Sequence, residues 1–143
     1  MKRVYVNEKW CLGCHLCEYH CAFAALDEKD MARGLKGIKI NPRIRIEEND
    51  EISFAVSCRH CDDPLCVKSC IAGALSVTNG IITINKEQCI GCYTCILVCP
   101  YGAVSPSEEG AVQKCELCAK TVSGQPACVA GCPNGAIVYE ERG

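Results

Sequence analysis

The chain is 143 residues long, has a formal charge of −2 with 22% charged residues, and holds sixteen cysteines against two Phe, one Trp and five Tyr. No basic stripe crosses it, which excludes nucleic acid as a partner, and no apolar run reaches the length of a membrane span, which excludes direct membrane insertion. Cysteine and alanine make up much of the 49% hydrophobic content, so an aromatic-rich core is excluded too, and whatever the cysteines bind has to serve in its place.

Taken in order, residues 4–6 read as a short apolar strand, followed by Cys11, Cys14, Cys17 and Cys21 in the spacing C-x2-C-x2-C-x3-C. Residues 27–51 contain no cysteine. The alternations Ile38-Lys-Ile40 and Ile44-Arg-Ile46 predict an edge ribbon there, and the charged runs at 27–30 and 47–51 read as solvated. Cys58, Cys61, Cys66 and Cys70 then follow as C-x2-C-x4-C-x3-C. Asn79-Gly80, set between β-branched runs, predicts a type I′ hairpin. Cys89, Cys92, Cys95 and Cys99 repeat the first spacing, and Cys115, Cys118, Cys128 and Cys132 read C-x2-C-x9-C-x3-C. A last apolar strand at residues 137–139 is able to pair with residues 4–6.

Internal repeats run through this pattern. Cys21-Ala-Phe-Ala-Ala-Leu26, Cys70-Ile-Ala-Gly-Ala-Leu75, Cys99-Pro-Tyr-Gly-Ala-Val104 and Cys132-Pro-Asn-Gly-Ala-Ile137 each end in a small residue, an alanine and a branched aliphatic one. That predicts a short helical turn closing in a tight bend. A second repeat relates Val4-Tyr-Val-Asn to Ile82-Thr-Ile-Asn and Cys11-Leu-Gly-Cys14 to Cys89-Ile-Gly-Cys92, at a constant offset of 78.

Four groups of four closely spaced cysteines suit cubane iron–sulfur clusters, in which each of four irons takes one thiolate. One tight loop supplies three corners. In two-cluster ferredoxins the fourth comes from the last cysteine of the other motif, and sixteen ligands at four per cube give four clusters. Three rival readings are weaker. A secreted disulfide scaffold suits the cysteine content, but residues 1–10 have no signal-peptide character. Structural zinc uses two separated pairs rather than four cysteines in close succession ending in Cys-Pro. A thioredoxin-like redox pair needs a βαβ setting that is missing here.

The four-group order, the long interval after the first group, Cys58-Arg-His-Cys61-Asp-Asp-Pro-Leu-Cys66 and Lys114-Cys115-Glu-Leu-Cys118 resemble the four-cluster ferredoxin-type subunits of anaerobic redox complexes. That family includes the carbon monoxide dehydrogenase-associated ferredoxin, the iron–sulfur subunits of formate dehydrogenase and dimethyl sulfoxide reductase, hydrogenase-linked polyferredoxins and the small subunit of tungsten aldehyde oxidoreductase. The resemblance implies an α+β fold of tandem bacterial-ferredoxin-like modules, with short β ribbons and short helices around four 4Fe-4S clusters. The outer module would comprise residues 1–26 and 104–143, the inner one 52–103, with 27–51 as a charged insertion. Carried over by position, it implies one cluster on Cys11, Cys14, Cys17 and Cys132 and a second on Cys115, Cys118, Cys128 and Cys21. A third would sit on Cys58, Cys61, Cys66 and Cys99, and a fourth on Cys89, Cys92, Cys95 and Cys70.

The resemblance also implies an electron-transfer subunit without a catalytic site of its own, serving a large catalytic oxidoreductase subunit such as carbon monoxide dehydrogenase, a tungsten or molybdenum pterin enzyme or a hydrogenase. A flavin/NAD(P) or ferredoxin-reducing partner would stand on the acceptor side, in an anaerobic cytoplasm. A freely diffusing polyferredoxin is the alternative. Four oxidised cubes with their thiolates add about −8 to the formal charge.

His15, His20 and His60 stand in no recognisable catalytic order and read as structural or cluster-adjacent. Arg59 and His60, inside a ligand loop, would raise that cluster's potential by placing charge or a donor near sulfur; a surface pair facing a partner is the other reading, and both readings apply to Lys114. Trp10, Tyr93 and Tyr101, beside ligands, are expected to pack against the cubes or keep water out.

Overall fold

The computed structural model describes residues 2–24, 26, 30–37, 39–107, 110–118 and 125–141. Ala25 of the first repeat, residues 27–29 of the charged run and Ile38 of the expected ribbon lie outside them. The described residues form four separate two-stranded antiparallel ribbons joined by short helices.

β1 (Lys2–Val6) pairs with β8 (Ile137–Glu141) across almost the whole chain, with Val4 opposite Tyr139 and Val6 opposite Ile137. β4 (Leu75–Thr78) and β5 (Ile81–Ile84) form the expected hairpin. Asn79 at φ 52° and Gly80 at φ 80° occupy the two left-handed positions that a type I′ turn requires. The 78-residue offset proves structural in detail: Asn7 N–H donates to the Ala136 carbonyl at 2.8 Å, and Asn85 N–H donates to the Ala74 carbonyl at the same distance.

The insertion departs from expectation. β2 (Arg45–Glu48) pairs forward with β3 (Ser53–Val56), and not backward with Lys39 and Ile40. Pro42, which has no N–H and restricts Asn41 before it, breaks the backward route. On the forward side the Asn49 side chain accepts the N–H groups of Glu51 and Ile52, both at 2.9 Å, and closes the turn. Upstream, a single helical turn, α2 (Met31–Gly34), begins where Asp30 Oδ1 accepts from Ala32 N at 3.1 Å. The boundary between 51 and 52 therefore cuts a paired ribbon.

Two cores sit under these ribbons. The first gathers Val4, Cys17, Ile44, Ala55, Leu117, Cys128 and Ile137, joining the chain's two ends to the β2–β3 ribbon. The second gathers Ala74, Leu75, Ile82, Ile84, Cys95, Val104 and Val112. Val104 and Val112 thus pack with residues of the second and third groups although they follow position 103; β6 (Ser105–Pro106) and β7 (Val112–Gln113) carry them there.

The remaining helices each begin beside cysteine loops: α1 (Leu16–Ala24), α3 (Leu65–Ser69), α4 (Thr94–Val98) and α5 (Ala127–Gly131). After Cys70, Cys99 and Cys132 the chain bends at Gly73, Gly102 and Gly135, with φ between 62° and 66°. After Cys21 α1 continues to Ala24, which does not take the left-handed conformation. The first repeat has alanine where the others have glycine, and a left-handed bend is costly for a residue with a Cβ.

α1 and α5 pack closely because Gly131 faces the His20 ring: a Cβ on Gly131 would lie 2.2 Å from His20 Cδ2. Gly131→Ala is expected to lower the thermal midpoint of the iron-loaded protein. Helix propensity favours the alanine by about 1 kcal/mol, but crowding against the ring costs about 1–3 kcal/mol. The double variant with His20→Ala should recover most of the loss, read by calorimetry.

Candidate iron–sulfur cluster sites

In each group the residue two after the first cysteine takes the left-handed conformation: Gly13 at φ 68°, His60 at 47°, Gly91 at 73° and Leu117 at 56°. The bend turns amide N–H groups toward sulfur. His60 N–H donates to Cys58 Sγ at 3.4 Å and Leu117 N–H to Cys115 Sγ at 3.3 Å. The last cysteine of each group is also served by backbone: Ala74 N–H donates to Cys70 Sγ at 3.3 Å and Ala103 N–H to Cys99 Sγ at 3.5 Å. Cys21 lacks that local bend, and its Sγ accepts from Arg43 N–H at 3.2 Å, so the insertion supplies the donor that its own repeat does not.

Two cavities lie between cysteines of different groups. Cys11, Cys14 and Cys17 line the first together with Cys132, beside Ile46 and Ile137. The second is lined by Cys89, Cys92 and Cys95 together with Cys70, beside Ile84 and Val112. The other eight cysteines are linked through their charges. Burial pushes the Cys61 and Cys66 thiols up, and Cys58 and Cys99 push them further. Burial likewise raises Cys128, reinforced by Cys115, Cys21 and Cys118.

Burial pushes Cys17 and Cys115 up to about 12. Cys70 and Cys132 lie below the usual thiol range; burial opposes this, but the surrounding amides, Leu75 and Ala74 for Cys70 and Asn134 and Ile137 for Cys132, outweigh it. Gathering thiolates in such apolar surroundings requires strong cationic compensation, so metal loading has to expel protons. Among the described residues no three Cys, His, Asp or Glu side chains converge tightly enough for a single metal ion. Sulfur walls about a wider cavity, with N–H groups aimed at the sulfurs, fit an iron–sulfur cube.

A family model described as a 4Fe-4S dicluster domain matches residues 50–142, from the second cysteine group through the fourth. The chain belongs to the 4Fe-4S dicluster domain family. This makes it an iron–sulfur protein of the electron-transfer type found as a subunit of oxidoreductases, with sixteen cysteines in its sequence. The putative oxidoreductase AegA of Escherichia coli K12 is 38% identical over 94% of this chain, which spans only 21% of AegA. Electron transport protein HydN of the same strain is 35% identical over 92% of this chain and 83% of HydN. The formate dehydrogenase-O iron-sulfur subunit, again from that strain, is 38% identical over 90% of the chain and 49% of the subunit. A chain in the structure of the active site complex BamBC of benzoyl coenzyme A reductase shares the fold, with TM-score 0.52 and 20% identity over 99% of this chain and 80% of that one. No helix among the described residues is long and apolar enough to cross a membrane.

In this dicluster-domain chain the non-cysteine candidates separate sharply. Arg59 is exposed and stacks over the Tyr101 ring at 5.1 Å, whereas its neighbour His60 is 0% exposed, so the two do not form a surface pair. Lys114 is 1% exposed. Trp10, Tyr93 and Tyr101 are 55%, 40% and 44% exposed, and of the three Tyr93 also lines the second cavity. His15 Nδ1 meets Glu18 Oε2 at 2.8 Å, and His20 packs on Gly131.

The outer edge of β5 explains the buried pair. Ile82 N–H donates to His60 Nδ1 at 3.0 Å, Lys114 Nζ donates to the Ile82 carbonyl and to the Cys115 carbonyl, and Ile84 N–H donates to Glu116 Oε1 at 2.8 Å. Side chains from the second and fourth loops thereby satisfy an edge that no third strand covers. Glu18 Oε1 plays a similar part at β2, accepting from Ile46 N–H at 2.8 Å. Neither glutamate was legible as functional in the sequence; the only signal was the position of each beside a ligand cysteine.

Proposed function

We propose that this chain relays single electrons through four 4Fe-4S clusters between a large catalytic oxidoreductase subunit and an acceptor. The ligand sets are Cys11, Cys14, Cys17 and Cys132; Cys115, Cys118, Cys128 and Cys21; Cys58, Cys61, Cys66 and Cys99; and Cys89, Cys92, Cys95 and Cys70. The observation that carries this reading is the sharing of both cavities between cysteines far apart in sequence. A row is supported by neighbouring sulfurs of different sets. Cys128 senses Cys17, Cys115 senses Cys58, and Cys95 senses Cys66. The two exposed cysteines among the sixteen, Cys14 and Cys92, belong to the two ends of that row.

A 4Fe-4S cluster with four thiolates exchanges one electron without an open coordination position. The chain's own part is to hold it, exclude water and aim N–H groups at sulfur, so we assign it no catalytic site. Similarity to the electron transport protein HydN and to the formate dehydrogenase-O iron-sulfur subunit supports an electron-carrying role beside a larger enzyme. A carbon monoxide dehydrogenase, a tungsten or molybdenum pterin enzyme or a hydrogenase would suit one end, and a flavin/NAD(P) or ferredoxin-reducing partner the other. All sixteen cysteines are free of disulfides, which favours an anaerobic, cytoplasmic setting.

Anaerobic purification from native extract tests the reading. We expect roughly sixteen irons per chain and co-elution with a large subunit. Elution only as a 15.5 kDa monomer would favour a free polyferredoxin, and zinc as the sole metal would overturn both.

A further inference from the structure

His60 and Lys114 place an unusual chemistry in the middle of the molecule. Because Ile82 N–H donates to His60 Nδ1, that nitrogen is the acceptor, and a neutral imidazole then carries its proton on Nε2. Nε2 is buried and has no hydrogen-bond partner, which for an N–H in a protein interior is costly. The Lys114 ammonium donates to two carbonyls, and among the described residues no carboxylate lies within ion-pair distance of it. A buried cation needs an anion nearby. The groups that sense it are Cys66, in the second loop, and Cys115, in the fourth. Arg3, which meets Asp62 at 2.6 Å, adds positive charge beside Cys61.

Two of the other sites differ, while at the remaining one Arg43 acts on Cys21 and Lys114 on Cys115. Cys17 of the first loop faces the Glu18 carboxylate. Cys70, Cys92 and Cys95 of the fourth site are influenced by amides, by Thr94 and by other cysteines, with no cation among the groups acting on them.

We propose that His60 Nε2–H, the Lys114 ammonium and Arg3 together make the site of Cys58, Cys61, Cys66 and Cys99 the highest-potential station of the row, with a sulfur there as the acceptor of the His60 proton donor. This rests on the four-cluster reading and deepens it. Positive charge and N–H donors stabilise the more negative, reduced form, and so raise the potential. The balance is one electron lost by a reduced redox partner and one gained at this site. No bond forms or breaks and no proton is required, since His60 and Lys114 already carry theirs. His60 and Lys114 are positioning residues in this scheme, acting on the equilibrium and touching no substrate.

The test is an anaerobic EPR-monitored redox titration of the iron-loaded chain and its variants, with iron counted first. Lys114→Met is expected to lower the highest of the four couples by at least about tenfold in its reduction equilibrium, 59 mV for one electron, and to lower by less the couple of the adjoining site that contains Cys115. Lys114→Arg should retain the wild-type values. His60→Gly, which places at position 60 the residue found at positions 13 and 91, should lower only the highest couple, by about fivefold. If Lys114→Met does not load iron, His60→Gly and an Arg3→Met variant decide the matter by the same readout. Unmoved potentials in fully loaded variants would overturn the proposal and leave the relay standing, whereas fewer than four couples in the wild type would overturn the relay itself.

Discussion

Stripping iron from the reduced protein is expected to unfold the whole chain, with cooperative loss of far-ultraviolet circular dichroism. None of the elements stands alone. The longest described helix has nine residues and the others four or five, while isolated helices shorter than about 12–15 residues are marginal in water. Every sheet is a two-stranded ribbon, also marginal without a face to pack on. The two cores contain aliphatic residues, alanines and cysteines, with no aromatic residue in the buried set. Seven more cysteines lie partly buried against them, so the cysteines are the material that joins one element to the next. Folding and metal binding should therefore be one event. A metal-free chain that keeps its ribbons and a sharp melting transition would refute this coupling.

Cys21→Ala is expected to damage the site of the fourth cysteine group and to spare that of its own loop. α1 carries Cys17 and Cys21 four residues apart, on one face and one turn from each other. Cys17 lines the cavity shared with Cys132. Cys21 senses Cys118, and Cys128 senses both. The same C-x3-C step recurs at α3, α4 and α5, where Cys66, Cys95 and Cys128 lie within the helix and Cys70, Cys99 and Cys132 cap it. Each helix thus has one sulfur to offer its own loop's site and one to offer a neighbour. The comparison variants are Cys115→Ala and Cys11→Ala. Cross-ligation requires the EPR signal lost in Cys21→Ala to match the one lost in Cys115→Ala, together with roughly a quarter of the iron. A match to Cys11→Ala would mean that each group closes its own cluster.

Much of this arrangement was legible because it is local or repeated. Asn79-Gly80 specifies its turn through two adjacent backbone conformations. The β1–β8 pairing followed from the likeness of residues 4–14 to residues 82–92, a repeat that the paired hydrogen bonds of Asn7 and Asn85 carry into three dimensions. The insertion was less legible. Alternation identified Ile44-Arg-Ile46 as strand but could not choose its partner, since the choice depended on Pro42 on one side and the Asn49 turn on the other. The segment after Cys21 shares the repeat's pattern but has Ala24 where the others have glycine, and there the helix continues.

The sequence by itself determined the chemistry. Sixteen thiols, their spacing and the grouping into fours are covalent facts, and a cysteine two or three residues from the next is held near it whatever the rest of the chain does. Tertiary structure alone decided the electrostatics around those thiols. Arg59 and His60 are neighbours with opposite fates, one exposed and one sealed, because only His60 meets the edge of β5 twenty-two residues away. Lys114 reads as a surface residue until Ile82, thirty-two residues distant, takes its ammonium into the interior. Burial and charge pairing are properties of surfaces brought together by folding, and no local spacing encodes them.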